Sequence, residues 1–212
     1  MHADLLLILV VLTNLNLLAS SRLGASIRVV AAQGVLLGLL PVLAHLDALS
    51  ARIVVLAAGS MTLKGLVFPW LLFRALREAD VSREVEPYVG YSSSLLAGVL
   101  ALALSFWLSA KLPLPTVIES KVLVAVAFFA ILAGLFLIVS RKRAVNQVLG
   151  FIVLENGVFT FGVGVLEGTS FLVEAGVLLD VFVGVFVMGI MIFHINREFD
   201  HIDTHQLSTL KH

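Results

Sequence analysis

The stretch VLVAVAFFAILAGLFLIV, residues Val122 to Val139, carries no charged or hydrogen-bonding side chain. As a helix rising about 1.5 Å per residue it is roughly 27 Å long, close to the ~30 Å hydrocarbon core of a bilayer. It predicts a membrane-spanning helix, and similar runs recur outward from it in both directions. Spans are predicted at Leu5 to Ser20, Ile27 to His45, Ile53 to Phe73, Ser93 to Ala110, Val122 to Val139, Val145 to Leu166 and Phe171 to His194. The chain is therefore read as an all-α integral membrane protein of about seven transmembrane helices. Composition agrees, because 60% of the 212 residues are hydrophobic and 13% are charged, against roughly 25% charged in soluble domains. The first span follows Met-His-Ala-Asp with no basic n-region or small-residue cleavage site, so it is read as a retained helix.

The polar joints are short, apart from the segment Arg74 to Ser92. Lys111-Leu-Pro-Leu-Pro115 is a helix stop, since proline lacks the donor a helix needs and restricts the residue before it. Basic residues fall unevenly across the joints. Arg22, Arg28, Arg74, Arg77, Arg83, Arg141, Lys142, Arg143, Arg197 and Lys211 collect on one side, and only Arg52, Lys111 and Lys121 on the other. Cytoplasmic loops are enriched in Lys and Arg. This orients the chain in a cytoplasmic (inner) membrane with its N-terminus outside and its C-terminus inside.

Fourteen basic and 14 acidic residues cancel, so the total charge gives no reason to expect a nucleic-acid partner. Without cysteine the chain can hold neither a disulfide nor a cysteine-ligated iron–sulfur cluster. In the tail, His201 and His205 have a helical metal-ligand spacing but no specified third ligand. Ile195, Phe199 and Ile202 instead mark a short amphipathic helix for the membrane surface or a cytoplasmic partner. Neither cofactor nor metal is expected in this chain.

Three ionisable residues fall at mid-membrane depth. Glu155 lies about ten residues beyond Val145, hence roughly 15 Å deep; Asp180 lies about 14 Å beyond Phe171, approached from the opposite face; Lys64 is similarly far beyond Ile53. A charge at a helix centre costs roughly 2.5–3.5 kcal/mol on insertion scales, so each must face protein or a hydrated cavity. Together they form a candidate proton-translocation path. An ion pair of Lys64 with Asp180 or Glu155 that merely locks helices is the competing reading. Gln33, Gln147 and Asn156 are candidate supporting groups, or interhelical hydrogen bonds. Glu174, near the start of the seventh span, is a candidate access point or an interfacial side chain. Gly150 and Gly157 are read as permitting close helix approach, as are Gly176, Gly184 and Gly189.

Spans one to three and five to seven share a layout, with Ser21-Arg22 echoed by Ser140-Arg141. That puts Gln33 near the place in the first unit that Glu155 has in the second, and Lys64 near that of Asp180, in two parallel three-helix units. The first unit then supplies a countercharge to the acids of the second. The organisation read from this is a first unit at 1–92, a linker helix and outer loop at 93–120, a second unit at 121–196 and a tail at 197–212.

Arg141-Lys-Arg-Ala-Val-Asn-Gln-Val-Leu-Gly-Phe-Ile-Val-Leu-Glu155-Asn resembles the second helix of the K-type subunit of respiratory complex I. Asp180-Val-Phe-Val-Gly184-Val resembles that subunit's third helix, with aspartate in place of the usual glutamate. This resemblance runs from about Val122 to Asn196. The whole chain, including Lys64-Gly-Leu-Val-Phe-Pro69-Trp70, is similar to component E of hydrogenase-4 and formate hydrogenlyase-type membrane complexes. The resemblance implies a small membrane-arm subunit beside large antiporter-like subunits and a peripheral redox arm. Nickel–iron and iron–sulfur centres would sit in those partner subunits, and Glu155 and Asp180 would lie on the proton path. Competing functions are a structural adaptor between larger subunits and a subunit of a multisubunit cation/proton antiporter. A self-sufficient transporter is disfavoured, because no pair of Gly/Pro-interrupted spans occupies corresponding positions.

Overall fold

The computed structural model describes residues 2–40, 42, 51–78, 87–112 and 121–165. All the described elements are helices: α1 (His2–Ala19), α2 (Leu23–Gly38), α3 (Ala51–Thr62), a π-helical segment (Leu63–Val67), α4 (Phe68–Glu78), α5 (Tyr91–Lys111), α6 (Lys121–Ser140) and α7 (Ala144–Val165). Three of them, α5 to α7, are long and apolar enough to cross a membrane, and α1 and α2 are shorter apolar helices. The span expected at Phe171 to His194 lies outside the described residues, as does the histidine-bearing tail.

The turn between α1 and α2 is tight. Ser20 N–H donates to Leu17 O at 3.4 Å, and Ser20 Oγ accepts from Arg22 N–H at 3.3 Å. Arg22 is extended (φ −92°, ψ 104°) and hands over to α2. At the end of α5, Leu112 is extended (φ −66°, ψ 132°), as the residue before Pro113 must be. The stop read from Lys111-Leu-Pro thus falls where expected.

Helix α6 is apolar all round and is accordingly central, packing against α1, α5 and α7. Its contact with α7 is backbone to backbone. A Cβ on Gly134 would lie 2.5 Å from Leu154 N and 2.6 Å from Gly150 O. One on Gly150 would lie 2.8 Å from Gly134 O, and one on Gly157 2.7 Å from Ile131 N. Glycine is the side chain this separation admits. On the opposite flank α5 presents Leu96, Leu100, Leu104 and Trp107, each half or more exposed. Such a stripe needs lipid or another subunit against it.

The continuous run 51–78 is regular except at the π segment, where Phe68 N–H donates to Leu63 O, five residues back. Pro69 supplies the cause. It has no N–H to offer Gly65 O, and its ring crowds that carbonyl, so the helix widens one turn before it.

The interior is stratified. One apolar cluster contains Leu17, Leu18, Ile27, Val30, Phe68, Leu72, Leu149 and Ile152. A second contains Leu6, Leu7, Val10, Leu37, Leu40, Val126 and Phe159. In sequence the first cluster lies on one side of Asn14, Gln33 and Glu155 and the second on the other, so these polar residues form a layer between two apolar ones.

Candidate functional site

The polar layer is assembled from one level of four elements. Asn14 comes from α1, Gln33 from α2, Lys64 from the π segment, and Glu155 and Asn156 from α7, and none of them is more than 2% exposed. At its head Lys64 Nζ lies 2.7 Å from Glu155 Oε2 and donates to Asn156 Oδ1 at 3.0 Å. The same ammonium sits 5.0 Å above the centre of the Phe159 ring, one turn along α7. A desolvated cation over an aromatic face gains up to about 2 kcal/mol.

From Lys64 the layer continues through amides. Asn156 Nδ2 donates to Gln33 Oε1 at 3.2 Å, and Gln33 Nε2 donates to Asn14 Oδ1 at 2.8 Å and to Thr13 Oγ1 at 3.2 Å. Thr13 in turn donates to Val10 O at 2.8 Å, and Thr160 to Asn156 O at 2.7 Å. The order of donors is forced. An ammonium has only hydrogens to give, so Asn156 meets it with oxygen, and every following amide must point the same way.

Local sequence explains how a lysine reaches this place. Gly34 lies against the lysine stem, and a Cβ there would sit 2.5 Å from Lys64 Cβ. Gly65 faces Val35 in the same way, with a virtual Cβ 2.6 Å from Val35 Cγ2. Glycine on both helices lets α2 and the π segment approach until Gln33 and Lys64 both touch Asn156.

Of the residues singled out in the sequence, Lys64, Glu155, Asn156 and Gln33 come together here. Gln147 does not: its Nε2 donates to Arg141 O at 3.2 Å, at the start of α7 and about 13 Å along the helix from Asn156. There it closes the turn into α7. Asp180 and Glu174 lie outside the described residues. Asn14 and Thr13 were not among the sequence candidates, although Asn14 lies about nine residues beyond Leu5, at the depth that picked out the others.

A second buried polar centre lies near one end of the bundle. Arg141, assigned from sequence to a basic turn, is 1% exposed. It donates to Leu18 O at 2.6 Å, in the last turn of α1, and its guanidinium stacks 4.7 Å from the Tyr91 ring centre. Carbonyls at a helix C-terminus lack intrahelical donors, and a cation there also complements the helix dipole. Ser140 O accepts from Tyr88 N–H at 3.0 Å, so α1, the 87–90 turn and α6 meet at this arginine.

The chain is 33% identical over 192 residues to an uncharacterized protein of Mycobacterium tuberculosis, Rv0085, covering 89% of this chain and 86% of that one. It is 27% identical over 162 residues to the hydrogenase-4 component E proteins of Escherichia coli and Shigella flexneri, covering 76% of this chain and 74% of theirs. No protein-family model matches it, and no solved structure does.

Proposed function

Since this chain belongs to the family of the mycobacterial Rv0085 protein and is a distant relative of hydrogenase-4 component E, we propose that it is a membrane-arm subunit of a hydrogenase-type complex that moves protons or sodium. The redox chemistry, with its nickel–iron and iron–sulfur centres, belongs to a peripheral arm. This subunit sits beside large antiporter-like subunits in the cytoplasmic membrane, with its N-terminus outside. Lys64, Glu155 and Asp180 are the charge-carrying groups, Gln33 and Asn156 hold Lys64 in place, and Glu174 is either an access group or an interfacial side chain. The K-type complex I resemblance of Val122 to Asn196 gives the same assignment for Glu155 and Asp180.

The observation that carries this reading is the Lys64–Glu155 pair, 2.7 Å apart and about 1% exposed on each side. A proton shifting across that contact converts an ion pair into a neutral amine and acid without leaving the apolar interior. Such a pair stores or passes one charge with little rearrangement, which is what a relay at mid-membrane requires. The test is Glu155→Gln in the intact complex. Assembly should survive while proton or sodium movement per turnover falls, and full coupling in both Glu155→Gln and Asp180→Asn would refute it.

One observation favours a purely structural role instead. The hydrogen bonds from Lys64 to Asn14 tie α1, α2, the π segment and α7 together at a single level. An adaptor that only holds helices in register would release partner subunits on Glu155→Gln, while any complex that survived would couple fully.

A further inference from the structure

Helix α2 shows one exposed stripe, Ala25, Arg28, Ala32, Val35 and Leu39, at the three- and four-residue spacing of a helix face. It is apolar apart from Arg28. The run 51–78 carries a comparable stripe, in which Leu66 and Trp70 are well exposed and Arg77 is exposed near the end of α4. The two helices run antiparallel and in contact. Gly38 meets Met61, a Cβ on Gly65 would lie 2.6 Å from Val35 Cγ2, and one on Gly24 would lie 3.6 Å from Phe73 Cε1. The crevice between them therefore has apolar sides and both arginines toward one end.

Arg28 reaches the level of the lipid headgroups although its backbone does not. Its Cα is five residues from Gln33, about 7.5 Å from the polar layer at mid-membrane. Its guanidinium carbon lies 6.0 Å from the centre of the Phe73 ring. That ring lies against Gly24, nine residues or about 13.5 Å from Gln33. The side chain thus climbs toward the edge of the hydrocarbon, about 15 Å from the midplane, as a snorkelling arginine does. Arg77 approaches the same level from outside. It is thirteen residues, about 20 Å, from Lys64, and helical side chains lean toward the N-terminus, which for α4 is back toward Phe73. Neither helix supplies an acid here: α2 has none, and Glu78, the last residue of α4, is the first in the run 51–78.

We propose that the crevice between α2 and α4 holds one anionic phospholipid, its phosphate shared by Arg28 and Arg77 and an acyl chain lying along Val35, Leu66 and Trp70. A guanidinium stacked on a ring keeps its N–H edge for a phosphate, which it binds bidentately. The lengths fit a lipid of one leaflet. From Arg28 to Leu39 α2 rises about 16 Å, and so does the other helix from Arg77 back to Leu66, against roughly 15 Å of hydrocarbon per leaflet. An acidic loop of a partner subunit would answer the arginines but leave the apolar length below them bare. The bias of cations toward one side of a membrane is met by arginines in the loops alone, and it requires neither the climb of Arg28 nor its stack on Phe73. The consequence concerns the polar layer. The acyl chain covers Gly65, the neighbour of Lys64, and Val35 against it, and so closes the outer wall of that layer to water.

The experiment uses the two tryptophans of the full chain as reporters in phosphatidylcholine vesicles. Trp107→Phe leaves Trp70, which borders the crevice. Trp70→Phe leaves Trp107, exposed on α5 with the Lys111 ammonium 5.6 Å from its ring centre, as a control for simple charge attraction. Quenching by phosphatidylglycerol brominated at mid-chain is compared with quenching by phosphatidylcholine brominated in the same way. One basic residue near the surface favours an anionic lipid by about fivefold and two by about 25-fold, so Trp70 should prefer the anionic lipid more than Trp107 does. Arg28→Gln combined with Arg77→Gln should erase the preference at Trp70 and leave that at Trp107 unchanged. Both arginines are exposed, so helix content by circular dichroism should hold; should the paired variant not fold, the comparison of the two tryptophans decides alone. A Trp70 preference no greater than that of Trp107, or one that survives the paired substitution in a folded chain, overturns the lipid site. So does release of partner subunits from the intact complex by the paired substitution with no lipid preference at Trp70, which would make the occupant an acidic surface of another subunit.

Discussion

Replacing Lys64 by methionine while leaving Glu155 in place should cost about 3–5 kcal/mol of stability, the usual penalty for breaking a buried pair by removing one partner. The structure says where this comes from. With the charges 2.7 Å apart and an effective dielectric of about 20, the gross attraction is roughly 6 kcal/mol. The desolvation of both groups opposes that attraction, and the single substitution removes the attraction without refunding the burial of Glu155. It also removes the hydrogen bond to Asn156 and the contact with the Phe159 ring. Replacing both residues, Lys64→Met with Glu155→Leu, should recover most of the loss, because apolar pairs of similar volume are often neutral or stabilising by about 1–4 kcal/mol relative to a buried ion pair. Reversible unfolding in mixed detergent micelles, carried through the full double-mutant cycle, measures both quantities. A single-variant cost under about 1 kcal/mol, or a double variant as unstable as the sum of the singles, would refute the reasoning. The result also bears on function. If the all-apolar version is as stable as the native one, stability is not the reason an ion pair occupies this position.

Gly134→Ala places a methyl 2.5 Å from Leu154 N, where ordinary contact begins at 3.4 Å; α6 and α7 must part by about 0.9 Å, and the thermal midpoint should fall by the equivalent of about 1–3 kcal/mol. Arg141→Met leaves Leu18 O without its 2.6 Å donor. A hydrogen bond to a charged group contributes about 1.5–3 kcal/mol, and hydrogen exchange at the last turn of α1 should accelerate accordingly. Phe159→Leu removes the ring under Lys64 as well as some packing of the apolar cluster, so its cost in the same micelle assay should be smaller by about 0.5–2 kcal/mol in a Lys64→Met background than in the native one.

Depth was legible in the sequence and azimuth was not. Counting residues from the start of an apolar run placed Lys64 and Glu155 at one level, because the helix rise is nearly constant. It would have placed Asn14 there too, had uncharged polar residues of the first span been counted with those of the second and sixth. Which of these face one another depends on how each helix is rotated, and that is decided by packing. The glycines that decide it here, Gly34 against Lys64 and Gly134 against α7, look in sequence like any others. Gln147 shows the opposite failure. It is as polar as Gln33, yet it sits in the first turn of α7, where a backbone carbonyl of the preceding turn takes its hydrogen. Arg141 misled in a third way, since a basic residue at a helix boundary reads as solvated charge, whereas the carbonyls ending α1 bring its guanidinium inside.

The π turn makes the lysine's position possible. Ser60, Lys64, Phe68 and Leu72 are all buried, and successive members are four residues apart. In a regular helix of 3.6 residues per turn, each step of four drifts by about 40°, so three steps would swing Leu72 roughly 120° from Ser60 and out of a single face. A turn that closes five residues back, as Phe68 does onto Leu63, takes up part of that drift by holding an extra residue. The face that meets α2 can then run from Ser60 to Leu72 with Lys64 at its middle. Pro69 imposes the widening, and Gly65 and Gly34 make room for it. The three residues therefore act on one geometric problem: keeping an ammonium directed at Glu155 and Asn156 while apolar side chains of the same helix seal the layer beneath it.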